Sequence, residues 1–312
     1  MTIDAQKNLS VGVFHDETLA NEIGKKGTAS DIQMFNRKTD ERVFTFMQSA
    51  GDKLTAKVQI MSCIDAAVVS LANINAEAGE TILLLDAYGV RKGICIVPPG
   101  SDTATITRLT NGTTLESFLI KPRTAPDILA ALEKIEIERD SQSPVLVSID
   151  HSFAVKGVGE VVLGFVRKGT LKKHDKLTLL PAGKEVVVRS IQIHDKDYDS
   201  AAAGSRVGLA LKGAPIDDLR RGSVLCHPGS VSVSSRIALS FEKNKFYAGE
   251  LNEGAYHLAT GMQVVPARIS GITGESLVAE TEKPVVYSNE DTFVILDLNA
   301  KKLHLVGKGS AL

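Results

Sequence analysis

The sequence predicts an α/β domain followed by two antiparallel β-barrels. Three observations carry this. Over residues 1–140, strand-length apolar runs alternate with helical stretches. From Ile149 to Leu225, alternating and β-branched runs are broken by glycine and charged turns at short, regular spacing, the pattern of a small barrel. After the Cys226-His227-Pro228-Gly229 break, β alternation resumes.

The chain of 312 residues is long enough for two or three domains, read as 1–140, 141–229 and 230–312. A hydrophobic content of 43% and a formal net charge of −1 describe an ordinary soluble protein. No apolar run is long enough to span a bilayer, and the first residues, MTIDAQKN, lack the basic and apolar regions of a signal peptide. Cytoplasm is therefore the expected compartment, with no membrane partner. Cys63, Cys95 and Cys226 are far apart, have no zinc spacing, and read as reduced, mostly buried thiols. Near-neutral charge excludes wholesale coating of nucleic acid, and DNA is not an expected partner; a local basic face remains compatible with it.

In order, Leu9–Phe14 (LSVGVF) suits a buried strand, and Glu17–Lys25 a short helix. Arg42–Met47 and Ala66–Leu71 are strands, Gly79–Tyr88 a helix, Gly93–Val97 a strand and Ser117–Ile120 a weaker one. Pro126–Asp140 is the strongest helix: Ile128, Leu129, Leu132 and Ile135 share a face, and Pro126 sits in the first turn. This alternation predicts a mostly parallel sheet covered on both faces. Asp140–Pro144 is a polar linker. In the barrel beyond it, Gly157, Gly159, Gly164, Gly169, Gly204 and Gly222 fall where corners or close backbone approach are needed. Val231, Val233, Ile237 and Leu239, then Val264–Ile269 and Thr292–Leu298, supply the second barrel.

Between Pro144 and Gly229 there are 13 Lys and Arg against 9 Asp and Glu. Arg167, Lys168, Lys172 and Lys173 crowd one hairpin, and Arg220 and Arg221 another turn. Such side chains either meet phosphates or form a solvated charged surface.

Several pieces in fixed order carry a family resemblance: Phe153 with Lys156-Gly157-Val158-Gly159, Val161-Val162, Gly164, Gly169-Thr170, Arg189-Ser190-Ile191-Gln192, Gly204-Ser205-Arg206-Val207-Gly208 and Arg221-Gly222. This stretch resembles domain 2 of the translational GTPases, the elongation factor Tu superfamily. Within it the resemblance runs to the selenocysteine-specific elongation factors and their archaeal relatives in pyrrolysine-using methanogens. The resemblance implies a P-loop GTPase-like first domain using GTP and magnesium, with aminoacyl-tRNA as partner and the ribosome as a further one. The bacterial selenocysteine factors carry an additional domain that reads an mRNA hairpin, and the expectation here is three domains without a counterpart of it.

The first domain departs from that pattern. A P-loop needs GxxxxGK(S/T), with glycine amides wrapping the phosphates and a lysine beside them. Here the first strand leads into Val13-Phe14-His15-Asp16-Glu17-Thr18, and Gly24-Lys25-Lys26-Gly27-Thr28 follows the helix instead of preceding it. Gln48-Ser49-Ala50-Gly51-Asp52 stands for the Asp-x-x-Gly-His motif, Pro98-Pro99-Gly100-Ser101-Asp102 for the guanine-reading Asn-Lys-x-Asp motif, and Lys121-Pro122-Arg123 for the Ser-Ala motif. The expectation is a degenerate GTPase domain with no GTPase activity and no cofactor. The alternatives are a GTP-binding factor with a non-standard site, and a regulatory or assembly protein that binds another translation component without tRNA.

In the selenocysteine factors an Asp-His pair at the start of domain 2 and a later arginine hold the aminoacyl group. The resemblance places them at Asp150, His151 and Arg206. The other reading makes Asp150 and Arg206 a structural ion pair. Arg167, Lys168, Lys172, Lys173, Arg220 and Arg221 are the candidate tRNA phosphate contacts. His257 and Arg268, with Lys301, Lys302 and Lys308, are the candidate stem contacts. No metal-ligating or Ser-His-Asp constellation is legible.

Overall fold

The computed structural model describes residues 7–51 and 53–312, so Asp52 lies outside the described residues. The chain divides into two compact units, one holding Leu9–Ile137 with Asn299–Leu305, the other holding Glu138–Leu298 and Val306–Leu312.

The first unit contains strands β1 (Asn8–Phe14), β2 (Lys25–Ala29), β3 (Ile32–Lys38), β4 (Val43–Ser49), β5 (Ala66–Ser70), β6 (Gly93–Ile96) and β7 (Leu119–Lys121). They make one sheet in the order β2-β3-β4-β1-β5-β6-β7. The sheet is mixed. The β1–β5, β5–β6 and β6–β7 pairs are parallel, while β2–β3 and β3–β4 are antiparallel. Helices α1 (Leu19–Ile23), α2 (Leu54–Met61), α3 (Ala76–Ala87), α4 (Thr103–Thr110) and α5 (Ala125–Glu133) complete it. Val11, Val13, Val68, Ile94 and Ile96 share a core with Leu19 and Ile23 of α1 and Ile128 and Leu132 of α5.

The helix expected over Glu17–Lys25 is confined to Leu19–Ile23. Gly24 is extended (φ −142°), so the chain passes from α1 directly into β2, an edge strand that takes up Lys25–Ala29. The helix expected to run to Asp140 stops at Glu133, although Ile135 still buries in the core; the apolar period outlasts the helix. Thr124 caps its start by accepting from the Asp127 amide.

The second unit holds both barrels. The first is built from β8 (Leu146–Val155), β9 (Gly159–Lys168), β11 (Lys176–Leu180), β12 (Lys184–Ile193), β15 (Arg206–Lys212) and β16 (Val224–Cys226), with short strands β10 (Thr170–Lys172), β13 (Lys196–Tyr198) and β14 (Ser200–Ala202) appended. The order β11-β16-β8-β9-β15-β12 closes on itself through β11–β12 pairing. Val147, Ile149, Val162, Leu179, Val188, Leu209 and Leu225 fill the interior. The second barrel is a closed ring, β17-β20-β19-β18-β21-β22, formed by β17 (Ser232–Lys243), β18 (Gly254–Thr260), β19 (Gln263–Thr273), β20 (Ser276–Tyr287), β21 (Phe293–Leu296) and β22 (Leu305–Ala311). Closure leaves neither ring with an open edge.

Cys95 and Cys226 are buried and Cys63 is partly so; burial pushes the Cys95 thiol up to about 12. Among the described residues no helix is long and apolar enough to cross a membrane.

Candidate functional site

In the first barrel, β8 and β9 pair antiparallel with a register shift between Ile149 and His151, so Asp150 is the extra residue of a β-bulge. The bulge turns its carboxylate into the protein, where Asp150 is only 4% exposed. Arg206, at the start of β15, donates from Nη2 to Asp150 Oδ2 at 2.9 Å, and its guanidinium lies 5.8 Å from the Phe165 ring centroid. Asp150 Oδ1 and Arg206 Nε are both buried without a hydrogen-bond partner. His151 does not join this pair by a hydrogen bond. Its ring packs on Phe153 two residues along the strand, 6.0 Å between centroids, beside an exposed part of the hairpin. Arg221 donates from Nε to the Asp150 main-chain oxygen at 3.1 Å.

The remaining basic residues separate into two groups. Arg167 donates to Asp291 Oδ1 at 2.8 Å, and Lys168 pairs with Glu290. Asp291 also accepts the Ser288 amide at 2.8 Å, so these two cations fasten the first barrel to the turn before β21. Lys172, Lys173 and Arg220 are exposed. Arg220 bonds locally, to the Asp217 carbonyl at 2.7 Å.

In the second barrel His257 lies opposite Pro266, and Arg268 opposite Ala255, so both side chains belong to one face of the β18–β19 pair. His257 is half-buried and Arg268 exposed. Lys301 and Lys302 are exposed, and Lys308 lies 3.7 Å from Glu242.

In the α/β unit the turn between β1 and α1 carries the Asp16 carboxylate. His15 adopts φ +61°, uncommon without glycine, and its Nε2 lies 2.9 Å from Thr81 Oγ1. Asp16 Oδ1 accepts the Leu19 amide at 3.0 Å and the Thr18 amide at 3.3 Å. Arg123, from the turn after β7, donates to Asp16 Oδ2 and Oδ1 at 2.6 and 2.9 Å. It also donates to Glu22 Oε1 and Oε2 at 2.8 and 3.1 Å and to Thr18 Oγ1 at 2.6 Å. Burial pushes the Asp16 carboxyl up, but Arg123 and the two amides outweigh it and hold it below the usual carboxylate value. Hydrogen bonding from Arg123 and Thr18 lowers Glu22. Asp102 instead caps α4, accepting the Ala104 and Thr105 amides at 3.0 and 3.2 Å.

Sequence reasoning missed Arg123 as a partner of Asp16, because 107 positions separate them. It also missed a cavity of about 230 Å³ edged by α2, α3 and His304. There Glu80 accepts the His304 and Leu305 amides at 2.6 and 3.3 Å, and Glu77 pairs with buried Lys57. No local signal announces either arrangement. Among the described residues no group of His, Cys, Asp and Glu is placed to hold a metal ion.

Residues 159–226 match the family model described as elongation factor Tu domain 2. An uncharacterized protein of Methanocaldococcus jannaschii is 34% identical over 307 residues, covering 97% of this chain and 99% of that one. The selenocysteine-specific elongation factor of the same organism is 34% identical over 157 residues, which is 50% of this chain but only 33% of the factor. Elongation factor Tu 2 of Streptomyces avermitilis is 32% identical over 181 residues, 56% of this chain and 45% of the factor. Among solved structures, translation elongation factor SelB from Methanococcus maripaludis in its apo form superposes with a TM-score of 0.81 at 25% identity, covering 99% of this chain and 80% of that one. The same factor in complex with the GTP analogue GppNHp gives 0.82 at 24% identity, with the same coverage. With the barrel motifs, the three-part architecture and these relatives in agreement, the chain belongs to the translational GTPase superfamily, in a family shared with the M. jannaschii protein that matches it end to end.

Proposed function

We propose that this chain is an elongation-factor-like protein that binds the aminoacyl end of a charged tRNA without using guanine nucleotide. Its domains are 1–140, 141–229 and 230–312, and it acts in the cytoplasm with translation components, the ribosome among them.

The observation that carries this reading is the buried Asp150–Arg206 pair. A buried ion pair is costly to desolvate and contributes little net stability unless its remaining lone pairs and protons are matched. Here one oxygen of Asp150 and one nitrogen of Arg206 are unmatched. Leaving such an atom unmatched costs on the order of 1–3 kcal/mol. Both atoms are closed to solvent in this state; when the site opens, the α-ammonium of an aminoacyl group gives the carboxylate a donor, and a carbonyl oxygen gives the guanidinium an acceptor. His151 and Phe153 offer a ring surface beside it for a base or side chain. Lys172, Lys173 and Arg220 are exposed, where phosphates can reach them.

GTP and magnesium, the superfamily's cofactors, do not fit the residues present. Amides at the start of α1, which a phosphate would occupy, are taken by Asp16. Asp16 and Glu22 bring negative charge to the place where phosphate needs cations. We therefore assign the chain no GTPase step.

Hydrolysis of the aminoacyl ester in bulk charged tRNA tests this directly. Bound protein shields the ester from water, so hydrolysis slows with the wild-type chain and not with Arg206→Ala. Equal rates with and without wild-type protein contradict the proposal.

A further inference from the structure

The family resemblance sets four short segments against the nucleotide motifs of the superfamily, and residues from three of them bond to one another. The turn after β1 and the helix it opens supply Asp16, Thr18 and Glu22. The turn after β7, aligned with the Ser-Ala motif, supplies Arg123, whose guanidinium donates to all three at 2.6–3.1 Å. Gln48, aligned with the acidic residue of the second motif, donates from Nε2 to the Asp16 main-chain oxygen at 3.0 Å.

The geometry separates this network from an ordinary surface ion pair, which contributes little. Arg123 grips Asp16 through Nε and Nη2, the planar fork that a lysine cannot reproduce. The Asp16 side chain is only 9% exposed and is anchored in turn to the Leu19 and Thr18 amides. Gln48 is itself buried. The guanidinium is therefore tied, through Asp16, to main chain at the start of α1.

In open α/β sheets a ligand bound at the carboxyl ends of the strands touches several loops at once and so links them. Here side chains of the chain itself make that link. We infer that Arg123, Asp16, Glu22 and Gln48 form a built-in brace that replaces the linking role of a nucleotide and holds the β1–α1 turn in one state whether GTP, GDP or neither is present. This inference rests on the proposal that the nucleotide site has been lost. Removing Arg123 leaves two carboxylates without their shared cation. The turn then loosens, and phosphate cannot substitute, because the carboxylates repel it.

The test is thermal melting of the full chain, together with amide hydrogen exchange across Phe14–Gly24. Wild type, Arg123→Ala and Arg123→Lys are each measured alone and with GTP–Mg, GDP or inorganic phosphate. The brace predicts that Arg123→Ala melts several degrees lower and exchanges at least severalfold faster at Thr18 and Leu19. Arg123→Lys should recover only part of the loss, and no anion should restore it. Wild-type melting and exchange in Arg123→Ala would overturn the brace while leaving the tRNA proposal standing. A rise in wild-type melting temperature with GTP would instead overturn the loss of the nucleotide site, and the brace with it.

Discussion

Arg206 and Asp150 meet 56 positions apart in sequence, 2.9 Å apart in space, between β15 and β8 of the first barrel. The contact exists because a bulge gives β8 one residue more than β9 at this point. Arg206→Ala leaves a buried carboxylate without its cation, a change that typically costs about 3–5 kcal/mol. Denaturant unfolding reads that cost. Arg206→Lys keeps the charge but loses the fork. It should unfold closer to wild type while binding charged tRNA about tenfold more weakly, equivalent to ~1.4 kcal/mol. Unchanged tRNA affinity in Arg206→Lys would make the pair purely structural.

Acid should act on the brace in the α/β unit. Asp16 and Glu22 both have depressed carboxyl pKa values in the fold. A carboxyl lowered on folding stabilises fully above its unfolded value, 3.8 for aspartate and 4.5 for glutamate, and the contribution disappears as pH falls through the folded value. The stability difference between wild type and Arg123→Ala should therefore be constant near neutrality and shrink below the unfolded carboxyl range. Melting curves down to acid pH check this.

Gly164 faces the Asp150 bulge from β9, paired with Ile149. A Cβ placed there would sit 2.4 Å from the Ser148 carbonyl oxygen. Since that contact is with backbone, the strands must separate to admit it. Gly164→Ala should destabilise the barrel by about 1–3 kcal/mol, the usual range for overpacking. Denaturant unfolding measures it, and tRNA binding should weaken with it because the Asp150–Arg206 geometry depends on this strand pair.

Salt dependence should sort the basic residues. Lys172, Lys173 and Arg220 are exposed. Substituting each that meets a phosphate should reduce the slope of log K against log salt by about 1. Arg167→Ala should leave that slope nearly unchanged and lower stability instead, because Arg167 is bonded to Asp291. The slopes come from titrations at several ionic strengths.

The barrels were legible in sequence because their signal is local. Glycine at strand corners and period-two alternation survive in any short window, and the structure closes both rings. The α/β unit was less legible. In β3, IQMFNRK mixes polar and apolar residues without clean alternation, and α2 has no side-chain cap at Lys53. In α4, TATITRLT is rich in β-branched residues that favour strands, yet the Asp102 cap makes it a helix. The site divides the same way. Asp150, His151 and Arg206 were reachable only through family resemblance, since a bulge and a 56-residue separation leave no periodic trace. Resemblance could not tell that His151 would pack on Phe153. Nor did it show that Arg167 would face Asp291, or that Arg123 would reach Asp16. These contacts depend on how distant strands assemble, which local pattern does not encode.

The central claim is tested most directly by titrating the purified chain with charged and deacylated bulk tRNA, with GTP–Mg, with GDP and without nucleotide. The account predicts tighter binding of charged tRNA, with the same affinity in all three nucleotide conditions. Binding that appears only with GTP, or no binding of charged tRNA in any condition, would contradict it.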